Sequence, residues 1–202
     1  MTDATPPFDS YIDALIFAFN ASSQNYDRPP MNLLAAPPGG SGKGLGGLDG
    51  AAQAGMIRAE VRRLGRMREA ILLARFAPRW IDCSCRAPCC SGRKPNSEWV
   101  DAVAHLAEYT RATVLSDCST TGLMRREYIV RFFSHRKERD SLDAIAARHG
   151  KVRQTIGDHF SRVAHHFGRP PAGRGEPQQP GLEDIARARI DEVLGELGVV
   201  AT

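Results

Sequence analysis

Apolar positions recur along most of this chain at the three- and four-residue spacing of an amphipathic helix, and no segment alternates as a strand does. In residues 8 to 26, FDSYIDALIFAFNASSQNY, the residues Phe8, Ile12, Leu15 or Ile16, and Phe19 fall on one face, with Asp9 or Ser10 placed to cap the helix. Asp27-Arg28-Pro29-Pro30 ends it, because proline lacks the amide donor and disfavours helix in the residue before it. Two helices are expected between 49 and 76. Asp49 suits the N-cap of the first, which stops at Gly65; the second, RMREAILLARF, carries Met67, Ile71 and Ala74 or Arg75 on one side and is closed by Pro78. EWVDAVAHLAEYTRATVL is a regular amphipathic stretch with Trp99, Val103, Leu106 and Thr110 aligned and Asn96 or Ser97 as cap. MRREYIVRFFSHR, SLDAIAARHG and VRQTIGDHFSRVAHHF add three more helices.

RPPAGRGEPQQPG, residues 169–181, has four prolines and no periodicity and reads as a linker. Beyond it Leu182, Ala186, Ile190, Val193 and Leu197 form a stripe suited to packing on a partner or on the parent domain. The expected fold is therefore mainly α. An N-terminal apolar helix and Gly/Pro-rich loop occupy 1–48. A helical domain over 49–168 carries an inserted Cys-rich zinc knuckle (79–96) and a helix-turn-helix (141–167). The linker 169–181 leads to a C-terminal helix within 182–202.

The charge distribution sharpens this picture. Across 202 residues the net charge is only +4, but two blocks concentrate it. Between Arg58 and Arg79 seven arginines meet two glutamates, and between Arg125 and Arg169 eleven basic residues meet five acids. Such blocks suit an anionic partner. The start, MTDATPPFDSYIDALIFAFN, lacks the basic segment of a secretory signal, and its apolar run is too short to span a bilayer. A cytoplasmic protein without a membrane partner is expected. No nucleophile is paired with a histidine and an acid, so no enzyme activity is expected.

Residues 35–50, AAPPGGSGKGLGGLDG, resemble a phosphate-binding loop only in part. Gly42-Lys43 stand where such a loop needs them, but Pro37 replaces its first glycine and Gly44 its hydroxyl residue. A nucleotide-dependent enzyme built on this loop is the less favoured alternative.

Four of the five cysteines lie in CSCRAPCC, as Cys83-x-Cys85-x3-Cys89-Cys90. Five is an odd number, and disulfides are rare in a reducing compartment, which turns the reading from a disulfide knot to a metal cage. Thiolates suit a tetrahedral zinc ion, the turn residues between them bring them to one point, and the nearby Arg79, Arg86, Arg93 and Lys94 offset their charge. One structural zinc on Cys83, Cys85, Cys89 and Cys90 is expected. Because neighbouring residues of an extended chain point apart, three of these with Cys118 or a histidine as fourth ligand is the alternative; taken alone, Cys118 reads as a small buried hydrophobe.

Residues 141–163, SLDAIAARHGKVRQTIGDHFSRV, fit a helix-turn-helix. Ser141 caps the first helix, Ala146 supplies the small residue where the helices cross, Gly150 the turn, and Ile145, Ile156 and Phe160 the buried contacts. Lys151 stands where an apolar residue is usual, with Val152 taking the buried role. The second helix is expected to present Arg153, Gln154, Thr155, Asp158 and His159 outward to bases, with Arg148, Lys151 and Arg162 on phosphates of double-stranded DNA. The alternative is a helical hairpin with a solvated basic face.

With the helix Met124 to Arg136 before it, this unit resembles the promoter-reading C-terminal domain of sigma factors over about forty residues. The block CSCRAPCCSGRKPNSEW followed by SLDAIAARHGKVRQTI resembles, in organisation across 67–167, small phage proteins grouped with the late antitermination protein Q. That family's paired Cys-x-x-Cys ligands are not present here, so the ligand set is not carried over. The resemblance implies a regulator that binds DNA near a late promoter and modifies RNA polymerase. It makes the N-terminal helix, the loop with Lys43 and the last helix candidates for touching polymerase. A local repressor or activator is the alternative, and a dimerising terminal helix would favour it.

Overall fold

The structure is a computed structural model that describes residues 6–21, 47–83, 85, 87, 90–168 and 179–201. It is mainly helical. The elements in order are α1 (Tyr11–Ala21), α2 (Gly47–Arg63), α3 (Arg66–Phe76), β1 (Trp80–Asp82), β2 (Arg93–Pro95), α4 (Ser97–Ala112), α5 (Gly122–Phe133), a 3-10 turn (Arg136–Glu138), α6 (Leu142–His149), α7 (Arg153–Phe167) and α8 (Leu182–Glu196). Among the described residues no helix is long and apolar enough to cross a membrane. The glycine-rich loop with Lys43, residues 169–178 of the linker, Ser84, Arg86, Pro88 and Cys89 lie outside the described residues.

The chain divides into two compact units that do not follow chain order, and the stretch 49–168 contributes to both. One unit gathers residues up to 65, 76–97 and 189 onward; the other gathers 66–75 and 98–188.

In the first unit α1 starts where Ser10 caps it: the Ser10 hydroxyl accepts from the Asp13 amide at 3.2 Å and donates to the Asp13 carboxylate at 2.7 Å. The helix buries Ala14, Leu15, Ala18 and Phe19, while Ile16 stays exposed. On α2, Ala54, Ile57 and Val61 fall at helical spacing and are buried in the packing against α1. Arg58 ties the two helices, donating to the Ala18 carbonyl at 3.0 Å with its guanidinium 5.6 Å from the Phe19 ring centroid. Gly65, at φ +89°, ends the segment in a conformation that favours glycine.

The first unit also holds a feature absent from the periodicity. β1 and β2 pair antiparallel, with Trp80 opposite Pro95, Ile81 opposite Lys94 and Asp82 opposite Arg93. Strands of three residues are too short to show alternation, and this hairpin corrects the expectation of a chain without strands.

In the second unit α3, α4 and α5 bury Ile71, Leu72, Val103, Leu106, Tyr128 and Ile129. The core continues into an aromatic group around Phe167, which is fully buried and lies 5.8–6.2 Å, centroid to centroid, from Phe133, Phe132 and Tyr109. The start of α8 is fixed by Arg75, which donates two 2.6 Å hydrogen bonds to the Glu183 carboxylate and one of 2.9 Å to the Phe133 carbonyl. Along α8, Ala186, which belongs to this unit, and Ile190 and Leu194, which belong to the first, are fully buried within this chain. Of the expected stripe, Ala186 and Ile190 are buried within the chain, Leu182 and Val193 are half-buried and Leu197 is exposed.

Candidate metal centre and nucleic-acid interface

The hairpin explains why the cysteines converge. Its ladder extends past Asp82 through a 2.9 Å hydrogen bond from the Cys83 amide to the Gly92 carbonyl, and Gly92 turns the chain at φ +78°. On the loop a second tight turn, Cys90 amide to Ala87 carbonyl at 2.9 Å, brings the far cysteine back. As a result the Sγ atoms of Cys83, Cys85 and Cys90 lie within 4.8 Å of one another. Ligands on a tetrahedral ion with 2.3 Å bonds stand about 3.8 Å apart, so a small contraction would let these three share one metal ion. The thiols are already electrostatically unequal. The Ala87 amide, then the Cys90 and Cys83 thiols, hydrogen-bond to Cys85 and hold its pKa below the ordinary range. For Cys83 the Cys85 amide acts to lower the pKa, but the thiol contacts with Cys85 and Cys90 and partial burial outweigh it.

Cys118, the alternative fourth ligand, belongs to the second unit. Its sulfur accepts from Arg162 Nη1 at 3.0 Å and donates toward Asp117 Oδ1 at 3.5 Å. Burial first, then the Asp117 hydrogen bond, pushes the thiol up.

In the same unit α6 and α7 are joined by a tight turn. Ser141 Oγ accepts from the Ala144 amide at 3.0 Å and caps α6 as expected. Gly150, at φ +58°, closes it, and the Lys151 amide bonds the Ala146 carbonyl at 3.0 Å. Ala146, Ile145, Ile156 and Val163 are buried in the seam.

Three expectations need correction. Val152 is 71% exposed rather than buried, because it occupies the extended N-cap of α7 while Ile145 and Ile156 fill the seam. His159 does not face outward. It is buried, with Nδ1 3.2 Å from the Tyr128 hydroxyl, because it shares the helical face of Ile156 and Val163. Phe160, expected in the core, is half-buried beneath the Arg131 guanidinium, 5.0 Å from the ring centroid.

The other predicted DNA contacts lie on the surface. Lys151, Arg153, Gln154, Thr155, Asp158 and Arg162 are all exposed, as is Arg148. Several are held by acids: Arg148 by Asp140 at 2.5 Å and Glu127 at 3.0 Å, Arg153 by Asp143 at 3.1 Å, and Arg162 by Asp117 at 2.6 Å. Arg162 keeps the Asp117 carboxyl at a pKa of about 2. Gln154 Nε2 donates to Asp158 Oδ1 at 2.9 Å. Exposed pairs of this kind are screened by water and contribute little, so an incoming phosphate can displace the acid at little cost.

No protein-family model, curated protein or solved structure matches this chain. What the protein can do is therefore read from its own geometry.

That geometry carries a pH dependence. Burial lowers the pKa of His105, His159 and His166, with Arg66 adding to the effect at His105 and Arg162 at His159. A histidine kept neutral in the folded state binds fewer protons than its unfolded counterpart, so stability is full above the unfolded pKa of 6.5 and falls as pH drops through it. Denaturant unfolding is expected to show lower stability at pH 5 than at pH 7.5. In His159→Gln the difference should shrink; an unchanged difference would assign the effect to other groups.

Proposed function

We propose that the protein is a DNA-binding transcription regulator in which α6, the turn and α7 form a helix-turn-helix and α7 enters the major groove. The observation that carries this reading is the surface of α7. Its buried face is anchored through Ile156, His159 and Val163, while Arg153, Gln154 and Thr155, all in its first turn, stand exposed beside the capped turn. The N-terminal residues of such a helix are the ones that reach base edges. Arg suits guanine and Gln suits adenine, and the exposed Val152 adds an apolar contact suited to a thymine methyl group. Arg148, Lys151 and Arg162 would sit on phosphates.

In the same reading Cys83, Cys85 and Cys90, with Cys89 as the fourth ligand, hold one structural zinc. Thiolates favour this ion over hard cations, and it would fix the loop that two three-residue strands are too short to fix alone.

The resemblance in organisation to Q-type regulators extends the reading to antitermination, with RNA polymerase as partner. The burial of Ala186, Ile190 and Leu194 within the chain argues against a repressor that dimerises through this face of its last helix.

Arg153→Ala and Gln154→Ala are each expected to cost about 1–3 kcal/mol at the matching base pair and to relax specificity there. Arg162→Ala should weaken all duplexes alike and reduce the salt dependence. Duplex titrations at several salt concentrations measure both; variants that bind like the parent would remove the helix-turn-helix assignment.

A further inference from the structure

The hairpin that gathers the thiols presents a second surface. Trp80 on β1 is 58% exposed, and among the described residues no other Phe, Tyr or Trp side chain is exposed. An indole of this size left in water at the foot of a short hairpin gains nothing for the fold. The pairing register places Pro95, Arg93 and the exposed Asp82 on the same face as Trp80, because directly opposed residues of an antiparallel pair share a side. Lys94 projects from the other face, and both cations are exposed. An exposed flat ring with Arg93 on its own face suits a stacked base and its adjoining phosphate, while Lys94 adds positive charge from the far face of the ribbon.

We propose that this hairpin binds single-stranded RNA, with an unpaired base stacked on Trp80 and the neighbouring phosphates on Arg93 and Lys94. Duplex is a poor occupant, because its bases are stacked on one another and offer no free face. Unpaired bases splayed onto aromatic rings are the usual form of sequence-tolerant RNA recognition, and small Cys-rich knuckles recur among the modules that do it. The site uses none of the residues of α7, so it stands or falls apart from the duplex-binding reading.

The test uses the full-length protein and a twelve-nucleotide oligouridylate. The chain has two tryptophans, and the other, Trp99, is half-buried with its Nε1 donating to the Ala74 carbonyl at 3.3 Å. Quenching of tryptophan emission by the RNA in the parent, lost in Trp80→Phe, is the expected signature. Affinity followed by a labelled RNA should fall about tenfold in Trp80→Ala and be kept within about threefold in Trp80→Phe, whose ring still stacks. Arg93→Ala and Lys94→Ala should each lower the slope of log affinity against log salt by about 0.7. Arg153→Ala should leave RNA binding unchanged, and Trp80→Ala should leave duplex binding unchanged, which separates a failure of this site from a failure of α7. RNA affinity unaltered in Trp80→Ala would overturn the proposal. So would an oligothymidylate bound as tightly with the same dependence on Trp80, or displacement of the RNA by polyglutamate at equal charge.

Discussion

Stripping metal from the protein is expected to release about one zinc ion per chain and to abolish the protection of residues 79–96 against hydrogen exchange. The expectation follows from how little else holds this segment. Two strands of three residues are not independently stable, and among the described residues the loop between them is closed by the Cys83–Gly92 and Cys90–Ala87 backbone bonds. Structural zinc sites in small peptides contribute an apparent ~10–16 kcal/mol, more than any other single interaction expected here. Cys83→Ser and Cys85→Ser should each reproduce the loss. Cys118→Ser should retain the metal, since its sulfur is already engaged by Arg162 and Asp117. Metal analysis with hydrogen exchange checks all four proteins. A metal-free protein with full protection over 79–96 would sink the cage.

Phe167→Ala is expected to destabilise the protein by about 3–5 kcal/mol. The ring is fully buried at the end of α7 and packs with Phe132, Phe133 and Tyr109, so its removal leaves a cavity among side chains of three helices. Equilibrium denaturation supplies the number. At a temperature where the variant remains folded, duplex affinity should be close to that of the parent, because the residues proposed to reach base edges lie in the first turn of α7, at the other end of the helix from Phe167. A variant as stable as the parent would mean that α7 is held elsewhere.

Much of the helical framework was legible because its punctuation is chemical. α3 begins and ends at Arg66 and Phe76 as expected, between Gly65, whose positive φ closes α2, and Pro78, which cannot continue a helix. Ser10, Ser141 and Gly150 act at their helix ends as their side chains, or the lack of one, dictate. The hairpin was not legible, since three residues carry no measurable alternation, and its pairing is set by the turn at Gly92 rather than by hydrophobic pattern. Trp80 was missed for the same reason: without a strand there was no face to place it on. His159 was a different kind of miss. Its spacing of three from Ile156 and four from Val163 already put it on the buried face, and its polar side chain masked that signal until Tyr128 appeared as its partner. Val152 failed in the opposite direction, an apolar residue set outside the seam by its place at the N-cap.

Genome-wide occupancy of this protein and of RNA polymerase, mapped in the same cells, tests the proposed function most directly. Discrete peaks at duplex sites, lost in Arg153→Ala, are expected together with protein that travels with polymerase beyond terminators. Occupancy confined to an operator, with polymerase leaving alone, would contradict antitermination in favour of a local regulator; an absence of discrete peaks would contradict duplex recognition itself.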